Sequence, residues 1–227
     1  TDPKTFYRSL TWEQYQAARA ENARLAVQTL RPDFLVVLQE PDTEATATGF
    51  ATAGTAAGST ALLNTILAGV GDVRGATRIG AGVGSWQEGY TQFILNFGTT
   101  SIDFIDLHVF QANFDFLPQA AVIADLAEEA GKGLAISGAW LTKSRDAEVM
   151  PMAIGTLSDD VAFARHPFAC WAPLDGYFLN VLMKFSHWRQ MEFFAPFFSQ
   201  YLRAYLPYDS TTAPLTPAQI LYREQQH

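Results

Sequence analysis

Cysteine is nearly absent from this chain: Cys170 stands alone among 227 residues. A lone thiol excludes an internal disulfide and a metal centre built from cysteines. Histidine is scarce as well, four in all, so a histidine-rich metal site has little to draw on. The sequence therefore predicts no metal and no cofactor. Basic residues are outnumbered, 15 Lys and Arg against 23 Asp and Glu, for a net charge of −8. The basic stripe expected of a nucleic-acid binder is missing. So is any apolar run long enough to span a bilayer. The opening Thr1-Asp2-Pro3-Lys4 is not a signal peptide; it reads as a polar loop, as if the chain began in mid-protein. Secreted, periplasmic and cytoplasmic locations in a bacterium all fit. Phosphate-cradling turns are lacking too. Neither GxGxxG leading into a helix nor GxxxxGK[ST] occurs, and the run Gly80-Ala81-Gly82-Val83-Gly84 ends in Ser-Trp rather than at a helix start.

What the chain does have is core material, with 48% hydrophobic and 13% aromatic residues. The stretch Arg31 to Glu40 organises it. Phe34-Leu35-Val36-Val37-Leu38 is a short apolar run of the kind that forms a strand covered on both faces. Gln39-Glu40-Pro41-Asp42 follows at once, and Pro41 has no N–H to continue a ladder. A carboxylate thus sits at the carboxyl end of a buried strand, where α/β folds place ligands.

The same strand-then-polar-end arrangement recurs. Thr11 and Gln14 form a capping box for a helix to about Thr29, with Tyr15, Ala18 and Leu25 inward. A long Ala/Thr/Gly loop after Glu40 leads into a helix from Ala61 to about Val70. Strands are expected over Thr77–Gly84, Ser101–Phe110, Gly133–Trp140 and Phe168–Trp171. Helices are expected around Tyr90–Asn96, Pro118–Ala130, Leu157–Arg165 and, long and kinked at Pro196, Tyr177–Tyr205. Regular alternation predicts a parallel sheet with right-handed crossovers. Five such units in one domain, residues 1–227, suit the last five units of a (β/α)8 TIM barrel, which needs eight. The first three strands would then come from elsewhere. Five strands leave two unpaired edges, so a second polypeptide carrying an N-terminal barrel fragment is the expected partner.

Aligned, the strand ends read Gln39-Glu40, Trp86-Gln87-Glu88, His108 and Phe110, Ser137-Gly138-Ala139-Trp140, and Trp171. Aromatic rings beside carboxylates and amides suit a sugar, whose C–H faces stack on flat rings while its hydroxyls need polar partners. Singly, each residue has a plainer reading: Trp140 and Trp171 as core, His108 as a hydrogen-bonded structural histidine, Glu88 as solvated. Their joint position carries the sugar reading.

The pattern resembles the clan of retaining TIM-barrel glycoside hydrolases that includes the cellulase- and mannanase-like families. In that clan the fourth strand ends in Asn-Glu-Pro, against Gln39-Glu40-Pro41 here. The sixth ends in His-x-Tyr, against His108-Val109-Phe110, and the eighth carries a Trp, matched by Trp171. The resemblance implies Glu40 as acid/base, Gln39 on the sugar 2-hydroxyl, and Trp171 under the ring. Trp86, Glu88, His108 and Trp140 would line the substrate. It also implies a nucleophilic Glu on the seventh strand, and here the chain departs: the aligned position is Gly138. Retaining hydrolysis needs two carboxyls, and glycine offers none. Deliberate removal, natural loss with sugar binding kept, and a second carboxylate relocated to Glu88, Asp106 or Asp175 are the explanations. Asp106 shares period-two parity with His108, so both should point the same way. The expected activity is a β-glycoside hydrolase with impaired hydrolysis. The alternatives are a non-catalytic carbohydrate-binding or scaffold protein and a different, metal-dependent TIM-barrel enzyme using Asp106, His108 and Glu40.

Overall fold

The structure is a computed structural model that describes residues 3–110, 116–141 and 172–196, with 210–212, 214–216, 219, 222–223 and 226. Helices α1 (Pro3–Tyr7) and α2 (Trp12–Leu30) lead into strand β1 (Phe34–Leu38). Then come α3 (Pro41–Thr48), α4 (Ala56–Val70), β2 (Arg78–Gly84), α5 (Tyr90–Gly98), β3 (Phe104–Val109), α6 (Phe116–Glu129), β4 (Gly133–Ala139), α7 (Ala172–Trp188) and β5 (Phe194–Pro196). Among the described residues the five strands lie in sequence order, β1-β2-β3-β4-β5, and all pairs are parallel. Parallel neighbours in sequence order, joined by right-handed crossovers, keep their helices on one side. The sheet curls into a half-barrel with successive helices packed along its convex side.

Period-two alternation divides each strand between two surfaces. Ile79, Ala81 and Val83 of β2 and Ile105, Leu107 and Val109 of β3 are fully buried under the helices. They meet Leu62, Leu63 and Ile66 of α4 and Phe93, Ile94 and Phe97 of α5 in one continuous core. The concave surface is built differently. Near the N-terminal ends of the strands, Arg78 pairs with Glu192 through two hydrogen bonds of 2.5 and 2.7 Å. The Arg78 guanidinium lies over the Phe34 ring. Above it Phe34, Phe104 and Phe193 meet edge to face, with centroids 5.1–5.8 Å apart. Polar groups begin one layer higher, at Asp106.

Several sequence expectations change. The α2 capping box forms as read, Gln14 N–H donating to Thr11 Oγ1 and Thr11 N–H to Gln14 Oε1. The inward face, however, is Tyr15, Ala20, Ala23 and Val27, while Ala18 and Leu25 are exposed. The cause is close packing on α4: a methyl at Gly69 would lie 2.7 Å from Ala20 Cβ, so only small residues fit that seam. The stretch after Glu40 is not one long loop. Pro41 starts α3, where its missing N–H costs nothing at the first helical position, and α4 begins at Ala56. The last helix does not run to Tyr205 with a kink at Pro196. It ends at Trp188, where Gln190 turns left-handed (φ 50°) and Met191 N–H reaches back to Ser186 O at 3.0 Å. That is a Schellman-type stop. Pro196 then closes β5, and the strand beside β4 is Phe194–Pro196. The expected strand Phe168–Trp171 and helix Leu157–Arg165 lie outside the described residues, as does Trp171.

Candidate functional site at the strand ends

Two irregularities in the sheet decide which side chains meet. Strict alternation from Phe34 would aim Gln39 at the helices. The β1–β2 register slips between Val36 and Leu38, so that Leu38 pairs with Ala81 and shares its buried face. Gln39 thereby turns to the concave side, where its Nε2 lies 3.1 Å from Ser137 Oγ and 3.5 Å from Asp106 Oδ2. A second slip falls between Asp106 and His108 on β3, opposite Ala135 and Gly138 on β4. It gives β4 one extra residue, Ser137, whose hydroxyl also reaches the concave side. Bulges of this kind re-aim side chains and are common beside functional sites.

Glu40 stands at the turn between β1 and α3 with φ 40° and ψ 67°, a left-handed conformation that non-glycine residues adopt at a cost. The turn brings its carboxylate to His108, Oε1 lying 2.6 Å from Nδ1. On the other side of the ring, His108 Nε2 lies 2.9 Å from Ser137 Oγ and 3.2 Å from Asp106 Oδ2. Ser137 donates its hydroxyl to Asp106 Oδ2 at 2.7 Å and its backbone N–H to Oδ1 at 2.9 Å. Asp106 and His108 thus point the same way, as their parity required.

The electrostatics follow from this packing. Burial by itself would lower the His108 pKa, because it penalises the cation. Hydrogen bonds to Asp106 and then Glu40 outweigh it and carry the imidazole from its ordinary 6.5 to about 9. A cationic ring donates from both nitrogens, which suits a carboxylate on each side. Asp42, in the first turn of α3, has its carboxyl raised above the ordinary range, chiefly by burial. Its Oδ2 accepts from the Trp86 indole N–H at 3.0 Å, and Gln87 Oε1 accepts from its backbone N–H at 3.3 Å.

Trp86 folds back over β2. A methyl at Gly84 would lie 2.4 Å from the Trp86 ring, so the glycine makes room for it. The indole also stacks on Phe110, with centroids 5.1 Å apart and planes 25° apart. Phe110 in turn flanks His108 at 5.4 Å. Gly138 lies against the His108 ring: a methyl there would sit 3.2 Å from Cδ2 and Nε2. Trp140 is half-buried, its backbone N–H continuing the β3–β4 pairing to Val109 O at 3.0 Å. Glu88 is exposed on the turn after β2. Asp175 is buried in the first turn of α7.

The arrangement limits the chemistry available. His108 fills the space between Glu40 and Asp106, so no glycosidic oxygen fits between these two carboxyls. Ser137, His108 and Glu40 are joined in the order of a nucleophile–base–acid triad. Yet the Ser137 proton goes to Asp106, and a ring protonated up to about pH 9 has no lone pair to receive it. Among the described residues no cluster of three or more metal-binding side chains occurs. Ser137 and the buried Asp106 are the members whose place here exceeded the sequence reading. Parity was the signal for Asp106, whereas Ser137 depends on a bulge that leaves no mark in the residue pattern.

No family model, no curated protein and no solved structure matches the chain.

Proposed function

We propose that this half-barrel is the last five units of a (β/α)8 barrel whose rim is a glycoside hydrolase-like site for β-linked sugars. In this reading the first three strands come from an N-terminal fragment in a second polypeptide, because among the described residues β1 and β5 are the edges of the sheet. The observation that carries the proposal is the placement of Glu40: its carboxylate lies at the carboxyl end of β1, with its Oε1 on His108. That is the end of a parallel sheet where α/β enzymes work. Gln39 turns to the same side, and the Trp86–Phe110 stack provides flat apolar surface beside polar groups.

Glu40 is the acid/base of the proposed ancestor, Gln39 the partner of the sugar 2-hydroxyl, and Gly138 the vacated nucleophile position. With no carboxylate at 138 the glycosyl-enzyme cannot form by the retaining route. Sugar binding outlasts hydrolysis in such a chain. Gly138 therefore also favours the second reading, a carbohydrate-binding protein without turnover.

The test is titration calorimetry of the protein with cellohexaose, mannohexaose and other β-linked oligosaccharides, beside Glu40→Gln. Binding to at least one sugar, weakened at least about tenfold by Glu40→Gln, is expected, since a hydrogen bond to a charged group is worth about 1.5–3 kcal/mol. No heat with any sugar, or equal affinity in the variant, sinks both readings. Size-exclusion chromatography with mass spectrometry on the native preparation tests the second polypeptide.

A further inference from the structure

Asp106 is the most deeply buried charged group of the rim, with none of its surface exposed. An isolated carboxylate so far from water is unfavourable, and donors must surround it. They come from two strands and the end of a third: Ser137 N–H and Oγ on β4, His108 Nε2 on β3 and Gln39 Nε2 just past β1. His108 is the only one of these that also touches Glu40.

A neutral imidazole carries one N–H. Placed on Nε2, it leaves the Nδ1 lone pair facing Glu40 Oε1 at 2.6 Å. Placed on Nδ1, it leaves the Nε2 lone pair 3.2 Å from Asp106 Oδ2. Only the doubly protonated ring satisfies both carboxylates. The titratable groups facing the ring among the described residues are Glu40 from the β1 end and Asp106 from its own strand; β4 brings only the Ser137 hydroxyl and the bare backbone of Gly138.

We propose that Asp106 is the positioning residue of the rim: by holding His108 in its cationic, doubly donating form it fixes the charge and orientation of the group that grips Glu40. The proposal rests on Glu40 being the working carboxyl, but its structural content stands apart from any sugar. Asp106 touches no reacting atom. It acts through His108, and its removal leaves Glu40 facing a ring that gives up its second proton at lower pH.

The test is an NMR titration of His108, assigned by its loss in His108→Gln, in the intact protein, in Asp106→Asn and in Glu40→Gln. The intact protein should titrate well above 6.5, near the value of about 9. Asp106→Asn should drop the midpoint by about one pH unit or more, since an opposite charge within hydrogen-bond range moves a pKa by about 1–3. Glu40→Gln should leave the midpoint above the ordinary value, because Asp106 still holds the ring. That arm decides the matter if Asp106→Asn does not fold: a fall to the ordinary value or below overturns the proposal. An unchanged midpoint in Asp106→Asn also overturns it. Cellohexaose affinity measured across the same pH range should lose its plateau in step with the ring in Asp106→Asn. Absence of sugar binding in the intact protein counts against the proposed function alone, since the titration needs no sugar.

Discussion

Alkaline pH should unfasten the rim, by an amount that follows from one group. His108 has a folded-state pKa near 9 against 6.5 for the ordinary imidazole. A raised pKa means that the folded state holds the proton more tightly than the unfolded chain. The stabilisation is therefore complete below about pH 6.5, shrinks as pH rises, and is gone once pH passes about 9. A tenfold change in proton affinity is worth about 1.4 kcal/mol, so the interval between the two values amounts to about 3 kcal/mol. Solvent screening takes little from this, because only 9% of the His108 side chain is exposed. For a chain of this size that corresponds to a fall in melting temperature of roughly 6–12 °C. The assay is urea unfolding at about pH 6 and about pH 10, on the intact protein and on His108→Gln. Other groups titrate in the same range, so the quantity that matters is the difference between the two pH dependences. The intact protein should lose about 3 kcal/mol more than the variant across the window. Equal slopes, or a steeper loss in the variant, would refute the idea that two carboxylates hold this ring as a cation.

Two further substitutions probe the site and its support. Gly138→Glu should create hydrolysis of an aryl β-glycoside, and adding Glu40→Gln should abolish it; a new methylene 3.2 Å from the His108 ring requires that ring to yield by a few tenths of an ångström. No activity on any sugar tested would count heavily against the retaining-site assignment. Gly80→Ala should destabilise the fold by about 1–3 kcal/mol, the usual cost of overpacking, because its methyl would lie 2.1 Å from the Phe104 ring; unchanged urea unfolding would show that the aromatic layer is looser than its ring contacts imply.

Legibility in the sequence followed the range of the forces involved. The β1 run Phe34–Leu38, the capping box at Thr11 and Gln14 and the alternation of strands with helices are local signals, and each has its counterpart in the structure. The parity of Asp106 with His108 is local as well and placed both on one side of the sheet. Features set by contact between distant segments were not readable. The α2 face depends on how closely Gly69 lets α4 approach. The turn of Gln39 to the concave side depends on a register slip against β2, and the arrival of Ser137 on a slip against β3. The expected strand Phe168–Trp171 lies outside the described residues. The paired segment Phe194–Pro196 reads in the sequence as helix, because Pro196 reads as a kink rather than as the end of a strand.

The glycines of β2 have a consequence for any attempt to remodel this protein. Ile79, Ala81 and Val83 are anchored in the core, while Gly80, Gly82 and Gly84 admit no added carbon: a ring, a neighbouring backbone carbonyl and an indole occupy those places. In a saturation library the strand should therefore tolerate little from Ile79 to Gly84, with smaller residues failing at the odd numbers and larger ones at the even. New specificity will have to be sought on the turns that follow the strands, since this strand has no position to lend.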